Sequence, residues 1–273
     1  MLYKSFLPGP ALHEFVRNYT LIHFQFNNHE PIPRKQRSPK PEEKLVFYIQ
    51  GGIKLSNLKT GCTEKPPVIS IFSHQLDPRI LQVTPTFFAF IVFFRPGVLH
   101  RLIHLPVSEM FDQFCDAELF FGSDISVVRE QLAEAAGHAS MISIVERFLF
   151  SKCRSMKERN PVDDIANYLL ADPTGFSLDA LADQACLSTK QFYRRFKERI
   201  GTSPKLFSRL SRFNHAYRYK IVYPDVPWSS IAQQFQYTDY HHLEKEFKEF
   251  AGQTPKEWVD THMASPERIL KLR

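Results

Sequence analysis

Lys190, Arg194 and Lys197 fall on one side of a helix when residues 188–201, STKQFYRRFKERIG, are wound at about 3.6 residues per turn, with Gln191 beside them. Side chains of these types at this spacing can recognise nucleic acid. Ammonium and guanidinium groups attract phosphate, and Arg or Gln can hydrogen-bond base edges in the major groove. Phe192, Phe196 and Ile200 recur every fourth residue on the other side and would anchor the helix to its own domain. Taken alone, the stretch equally describes a surface helix with a solvated basic face, so the elements around it must decide.

Those elements repeat. FKERIGTSPKLF at 196–207 aligns with FKEFAGQTPKEW at 247–258, and Phe, Lys, Glu, Gly, Pro and Lys recur at a constant offset. Gly201 and Gly252 suit the left-handed residue just past a helix end. Ser203 and Thr254 can cap the next helix, with Pro204 and Pro255 at its first position, where no N–H is needed. A short helix is predicted before each copy. SLDALADQACLS (177–188) places Leu178, Leu181, Ala182 and Ala185 on one face, with Ser177 as a candidate cap, and PWSSIAQQFQYTD (227–239) does the same with Trp228, Ile231, Ala232 and Phe235. A short helix, a tight turn and a second amphipathic helix make a helix-turn-helix, whose second helix enters the major groove. Leu206, Leu210, Phe213, Tyr217 and Ile221 predict one continuous helix joining the two motifs.

Charge follows the motifs. Between Ser188 and Val222 stand ten Lys or Arg (190, 194, 195, 197, 199, 205, 209, 212, 218 and 220) and one acid, Glu198, whereas the whole chain nets only +6. The anion-binding character therefore belongs to this segment.

Strand periodicity rules the first hundred residues. YTLIHFQF (19–26), KLVFYIQG (44–51), IKLSNL (53–58), PVISIF (67–72), RILQVT (79–84) and FFAFIVFF (87–94) are short, β-branched or aromatic, and separated by turn residues. Closely spaced strands without intervening helices indicate an antiparallel barrel or sandwich. Residues 27–44, rich in proline and charge, are expected to form an exposed loop. After Pro96 the period becomes helical, over 97–105, 126–136, 140–153 and 162–172, and a boundary is placed within 154–161. Phe72, Phe87, Phe88, Phe90, Phe93 and Phe94 could line an apolar pocket, but alternate ones must pack the core in any case.

Other chemistries find little support. HRLIH at 100–104 spaces two imidazoles by one helical turn, but Arg101 stands where a zincin carries its glutamate, so helix-surface or packing histidines are expected and no metal. His23, His29 and His74 are dispersed. Neither GxSxG, nor a phosphate-binding glycine loop, nor paired catalytic carboxylates occur, so no catalytic residue and no cofactor is assigned. Cys62, Cys115, Cys153 and Cys186 form no CxxC pair and are expected to be buried small hydrophobes in a reducing cytosol. The longest apolar run, TFFAFIVFF at 86–94, is too short to span a bilayer, and the N-terminus lacks a secretory h-region. A cytoplasmic protein without membrane partners is expected.

With these residues in view, the C-terminal hundred resembles the DNA-binding domain of AraC/XylS-type transcriptional regulators. SLDALA, LSTKQFYRRFKERIGTSP, RFNHA and FKEFAGQTPKEW carry the likeness over residues 160–260, and VFFRPGVLHRLIHLPVSEM (92–110) resembles the segment closing the N-terminal domain in one AraC-like branch. The resemblance implies an α+β chain. A cupin-like antiparallel β-barrel with flanking helices (1–155) would sense a small-molecule effector, dimerise, or both. An all-α domain of two helix-turn-helix motifs (160–262) would bind double-stranded DNA. Activation and contact with RNA polymerase are implied as well. Carried over position by position, the base-facing residues are Lys190, Tyr193 and Arg194 in the first recognition helix, and Tyr240, His241, Glu244 and Lys245 in the second. Ser188, Gln191, Lys197 and Lys248 complete the expected DNA-binding set. Periodicity alone exposes Lys190, Arg194, His241, Lys245 and Lys248, but sets Tyr193 on a flank and Tyr240 near the apolar side.

The chain departs from the family where Gln236 and Tyr237 replace a frequent Gly-Phe pair in the second turn. Glu244 and Glu246 are expected to dilute the positive charge of the second recognition helix, leaving the first to dominate affinity. Two readings stay open beside the effector-controlled regulator. One is a regulator whose N-terminal domain only dimerises or contacts proteins, and the other is an enzyme carrying DNA-binding motifs.

Overall fold

Alternation with a period of two gives the strand β9 (Thr86–Phe94) two working faces. Phe90, Val92 and Phe94 point into a core shared with helices, whereas Phe87 and Ala89 point into a second core between sheets. The computed structural model describes residues 2–26, 32 and 34–263, with side chains to Asp260. His29 and part of the expected 27–44 loop lie outside the described residues.

β9 sits inside a six-stranded antiparallel sheet with β1 (Leu2–Phe6), β2 (Val16–Gln25), β4 (Lys44–Gln50), β7 (Ile69–Phe72) and β10 (Phe114–Asp116), ordered β1-β2-β9-β4-β7-β10. A four-stranded sheet faces it, built from β3 (Lys35–Arg37), β5 (Ile53–Asn57), β6 (Thr63–Glu64) and β8 (Arg79–Val83) in the order β3-β8-β5-β6. Strand class and antiparallel pairing match the sequence reading. The sheets do not close into one ring, however. Edge strands β3, β6 and β10 are only two or three residues long, too short to carry a ladder from sheet to sheet. β1, β3, β6 and β10 escaped the sequence reading because short edge strands with polar residues lack an apolar alternation.

Helices α1 (Val98–Ile103), α2 (Glu118–Phe121), α3 (Asp124–Glu134) and α4 (His138–Cys153) bury Leu99, Ile125, Leu132, Val145 and Leu149 in the core shared with the large sheet. The C-terminal part is helical. It comprises α5 (Pro161–Ala171), α6 (Leu178–Gln184), α7 (Thr189–Ile200), α8 (Pro204–Val222), α9 (Trp228–Gln234), α10 (Tyr240–Ala251) and α11 (Pro255–Met263). The linker helix α8 runs unbroken, and its apolar stripe serves two small cores. One joins α5, α6 and α7 around Phe192, Phe196 and Phe207, and the other joins α8, α9 and α10 around Phe213, Phe247 and Trp258.

The sheets and the helical part share a seam. A Cβ on Gly201 would stand 2.9 Å from Val107, and one on Gly97 would overlap the Asp163 carboxyl, so both glycines permit close approach at positive φ. His74 packs edge-on against Phe207 with centroids 5.5 Å apart, and Gln36 donates to the Ala251 carbonyl at 2.6 Å. Leu76, from the loop before β8, packs on the second small core.

Candidate nucleic-acid interface

The first helix-turn-helix is made by local rules. α6 ends in a turn where Cys186 takes φ 54, and α7 then starts with a capping box. The Ser188 hydroxyl accepts from the Gln191 N–H at 3.3 Å, and the Gln191 side chain accepts from the Ser188 N–H at 3.3 Å. Ser188 and Gln191 thus hold the helix start together besides lying on the surface. The Thr189 hydroxyl donates to Asp179 at 2.7 Å, tying α7 back to α6. Gly201 ends α7 at φ 88, and Ser203 caps α8 by accepting from the Leu206 N–H at 3.2 Å. Ser177, expected to cap α6, stands at its N-cap without a side-chain hydrogen bond.

Phe192, Phe196 and Ile200 are fully buried, while Ser188, Lys190, Gln191, Tyr193, Arg194 and Lys197 are open to solvent. Tyr193 is 46% exposed, so it belongs to the open face rather than the flank. No ion pair among the described residues engages Lys190, Arg194, Arg195 or Lys197. Arg199 behaves differently. Its Nε and Nη2 donate to Asp163 Oδ1 and Oδ2 at 2.7 and 2.6 Å, a buried two-pronged pair that fixes α7 to α5.

In the second motif, Gln236 takes φ 55 in the turn and Asp239 caps α10 by accepting from the His242 N–H at 2.7 Å. His241, Lys245 and Lys248 are exposed, and Tyr240 and Glu244 are half-buried. Glu244 is bracketed by Lys248 at 3.5 Å and His241 at 3.9 Å. Burial, with Glu244 nearby, raises the Tyr240 hydroxyl above its ordinary range. Glu246 corrects the sequence reading. Its side chain is 2% exposed and turned to the linker helix, where it binds Arg209 and Arg212. It does not repel phosphate from the outer face.

The same contacts revise the charge count. Arg199, Arg209 and Arg212 are held by internal carboxylates, and Lys220 donates to the Pro224 and Val226 carbonyls. The cations of the segment left facing outward are Lys190, Arg194, Arg195, Lys197, Lys205 and Arg218. In the sequence, Arg195 stands out only as a member of the cationic run, and Lys205 only through that run and the repeat.

A cavity of about 630 Å³ opens between the two sheets. Phe24, Phe72, Phe87 and Ile91 line its apolar side, and Asn214, Tyr217, Arg218, Ile221 and Val222 of α8 roof it. Arg17, Lys35, Arg37, Lys40 and Lys44 gather at its polar side with one acid, Glu42. Burial would raise the Glu42 carboxyl, but Lys40, Arg17, Lys44 and Arg37 outweigh it and hold it at about 2. Lys44 is 6% exposed, with its ammonium 5.0 Å from the centre of the Phe72 ring. Burial first, and Arg37 next, push Lys44 well below the usual lysine range. Phe72, Phe87 and Phe93 therefore line this cavity, whereas Phe90 and Phe94 pack the helix-side core.

His100 is buried with Nδ1 2.9 Å from the Leu105 carbonyl, and His104 is exposed at the left-handed end of α1. The two do not converge. Among the described residues no group of three or more His, Cys, Asp or Glu could hold a metal ion. The cysteines differ from expectation too. Cys62 and Cys186 are exposed, and Cys115 and Cys153 are half-buried, because each sits in a turn, at a helix end or on a partly covered edge strand.

A family model described as a helix-turn-helix domain matches residues 181–261, which takes in both motifs and the linker. A point variant of apo ToxT from Vibrio cholerae strain SCE256 shares the overall fold at TM-score 0.50 and 12% identity, covering 89% of this chain and 97% of that one. The chain carries the AraC-type double helix-turn-helix. ToxT from Vibrio cholerae O395 aligns at TM-score 0.47 and 10% identity over 91% and 98% of the two chains. The DNA-binding domain of AdpA, solved in complex with a target DNA, aligns at TM-score 0.35 and 21% identity over 39% and 96%. No curated protein matches the sequence. Within the AraC-type domain the exposed faces of α7 and α10 form the candidate interface. No helix of the described residues is long and apolar enough to cross a membrane.

Proposed function

We propose that the chain is a sequence-specific, DNA-binding transcription regulator, with α7 and α10 entering successive major-groove segments from one face of the duplex. The observation that carries this is the outer face of α7. Ser188, Lys190, Gln191, Tyr193, Arg194 and Lys197, all able to contact phosphate or bases, lie open there, while the opposite face is locked into a core by Phe192 and Phe196. Lys190 and Arg194 read bases, Lys197 meets phosphate, and Tyr193 adds a ring. His241, Lys245 and Lys248 serve the second segment with Tyr240 and Glu244. The test is selection of bound duplexes from a random pool by the full chain, followed by footprinting. Two protected patches about one helical turn, roughly 34 Å, apart are expected. Protection of a single groove segment, or no preferred sequence, would refute the reading.

Residues 1–155 serve, in the same proposal, as the effector-sensing unit and 160–262 as the DNA-binding unit. A buried lysine beside aromatic rings, in a cavity where basic side chains far outnumber the single acid Glu42, suits a small amphipathic anion. A medium-chain alkyl carboxylate is expected to raise the melting temperature of the full chain, and the matching alcohol is not. Equal shifts, or none, would favour a domain that only dimerises or contacts proteins. Activation through RNA polymerase, a homodimer on paired sites and a cytoplasmic location complete the proposal, carried over from the AraC resemblance. Transcription in vitro and sedimentation of the DNA complex test the first two.

A further inference from the structure

The two copies of the repeat hold their recognition helices by opposite arrangements: α7 sends Arg199 to the buried Asp163 of α5, whereas α10 carries the buried acid itself, Glu246, and receives arginines from α8. Glu246 Oε1 accepts from Arg209 Nε at 2.9 Å and from Arg212 Nη2 at 2.8 Å. Both arginines belong to the linker helix α8. Arg209 also donates to Glu249 at 2.5 Å, and the Arg212 guanidinium lies 4.2 Å from the centre of the Tyr237 ring. Tyr237, buried in the turn just after Gln236, meets the His242 ring edge-on at 5.3 Å. One carboxylate therefore gathers the linker, the turn and the recognition helix. At the matching position of the first copy stands Arg195, which is exposed.

Burying a carboxylate against two half-buried arginines costs desolvation, and apolar residues of similar volume often stabilise a fold as well or better. Stability alone is a poor reason for such a cluster. The apolar contacts of α10 on α8, with Phe213 at 4.8 Å from Phe247 and 5.4 Å from Phe250, are non-directional. They hold α10 close and set which side is buried, leaving its fine rotation about its own axis to more directional contacts. Hydrogen bonds from two planar guanidinium groups are directional and do fix it. At about 100° per residue, His241, Glu244 and Lys248 lie round the far side of α10 from Glu246, and Lys245 about a quarter-turn from it. A rotation of about 20° would carry a side-chain tip, about 6 Å from the axis, sideways by roughly 2 Å. That exceeds what a hydrogen bond to a base edge tolerates.

We infer that Glu246 is a positioning residue for DNA reading: held by Arg209 and Arg212, it sets the rotation of the second recognition helix without touching DNA. The inference rests on the DNA-reading function proposed above. Its test is the full chain carrying Glu246→Leu, and separately Glu246→Gln, compared with the wild type on duplexes that the wild type selects from a random pool. The expected result is a cooperative melt and unchanged affinity for random duplex. Sequence preference should fall roughly tenfold to a hundredfold at base pairs under α10 and stay unchanged under α7. A purely structural residue would lower the melting temperature and weaken both half-sites together, and that pattern overturns the assignment. Unchanged preference in both half-sites overturns it too. If Glu246→Leu does not fold, Glu246→Gln carries the comparison, since it keeps the shape but replaces the carboxylate that draws two guanidinium groups onto one oxygen with a neutral amide, whose hydrogen bonds are about half as strong. Failure of both to fold makes Glu246 a stability residue and refutes the inference. A wild-type chain that selects no sequence removes the DNA-reading function itself, a separate result that takes the positioning role with it.

Discussion

Arg194 and Lys197 stand one helical turn apart on the same exposed face, yet their chemistry divides their roles. A guanidinium can form two parallel hydrogen bonds to guanine, whereas an ammonium acts as a point charge. Arg194→Ala is expected to cost about 1–3 kcal/mol on the selected site and relax preference at one base pair. Lys197→Ala should weaken selected and random duplex alike. Titrations on both kinds of duplex decide it, and identical behaviour of the two mutants would strip Arg194 of a base-reading role. Inside the fold, Arg199→Ala leaves Asp163 buried without its partner, and a loss of about 3–5 kcal/mol in chemical denaturation is expected. The open face of α7, Tyr193 excepted, was legible from spacing alone, because a helix start and a period of 3.6 are written locally. The inward turn of Glu246 was not. Leu243 and Phe250, three before and four after it, set it beside the apolar stripe, but a charged residue there is ordinarily read as solvated, and its arginine partners lie in another helix.

At the scale of elements, the loops flanking β4 and β8 and the start of α8 meet over two titratable side chains. Glu43 and His74 are each 1% exposed and stand 3.6 Å apart. Burial raises the Glu43 carboxyl well above its usual 4.5 and pushes the His74 imidazole down to about 4 from 6.5. Both favour their neutral forms in the folded chain. For His74 the stability contribution is complete above 6.5 and lost as pH falls towards 4. For Glu43 it is complete below 4.5 and lost as pH rises through the elevated folded value. Glu43→Gln removes the second dependence and keeps the first. Its melting temperature should therefore exceed the wild type's at about pH 8 and match it near pH 4. Parallel melting-versus-pH curves for mutant and wild type would show that Glu43 is not protonated in the fold. Helices α7, α8 and α10 and the central strands β4 and β9 could be read from the sequence, since each carries a full apolar stripe. Strands β3 and β6 could not, because a polar edge strand is defined by its neighbour's hydrogen bonds rather than by its own residues.

For the molecule as a whole, charge placement governs behaviour more than net charge does. Internal carboxylates neutralise Arg199, Arg209 and Arg212 of the basic segment, so fewer cations face DNA than the sequence count suggested. About four to six phosphate contacts would give a slope near −4 to −5 when the logarithm of affinity is plotted against that of salt concentration. Anisotropy titrations over a modest salt range measure it directly. A flat response would be incompatible with a phosphate-dominated interface, and a slope of about −9 would mean that the internal pairs open on binding. The order of strands then helices, and the two motifs with their joining helix, were legible because a repeat announces itself in one dimension. The cavity was not, since it is a gap between sheets whose spacing depends on every side chain in both.

Gly97 and Gly201 bear on how such a protein can change over generations. Each lets one half of the molecule rest directly on the other, against Asp163 and Val107, with no space for even a methyl group. Helix-turn-helix units are readily imagined as cassettes, passed from one sensor to another by recombination. Here a crossover near residue 160 would bring in a new N-terminal half with no glycine opposite Asp163 and no matching valine under Gly201. The hybrid would inherit a reading head whose first helix has lost its seat. The two halves are bound to a shared inheritance, and under the proposed function new DNA specificities are more accessible through point changes on the outer faces of α7 and α10 than through exchange of whole parts.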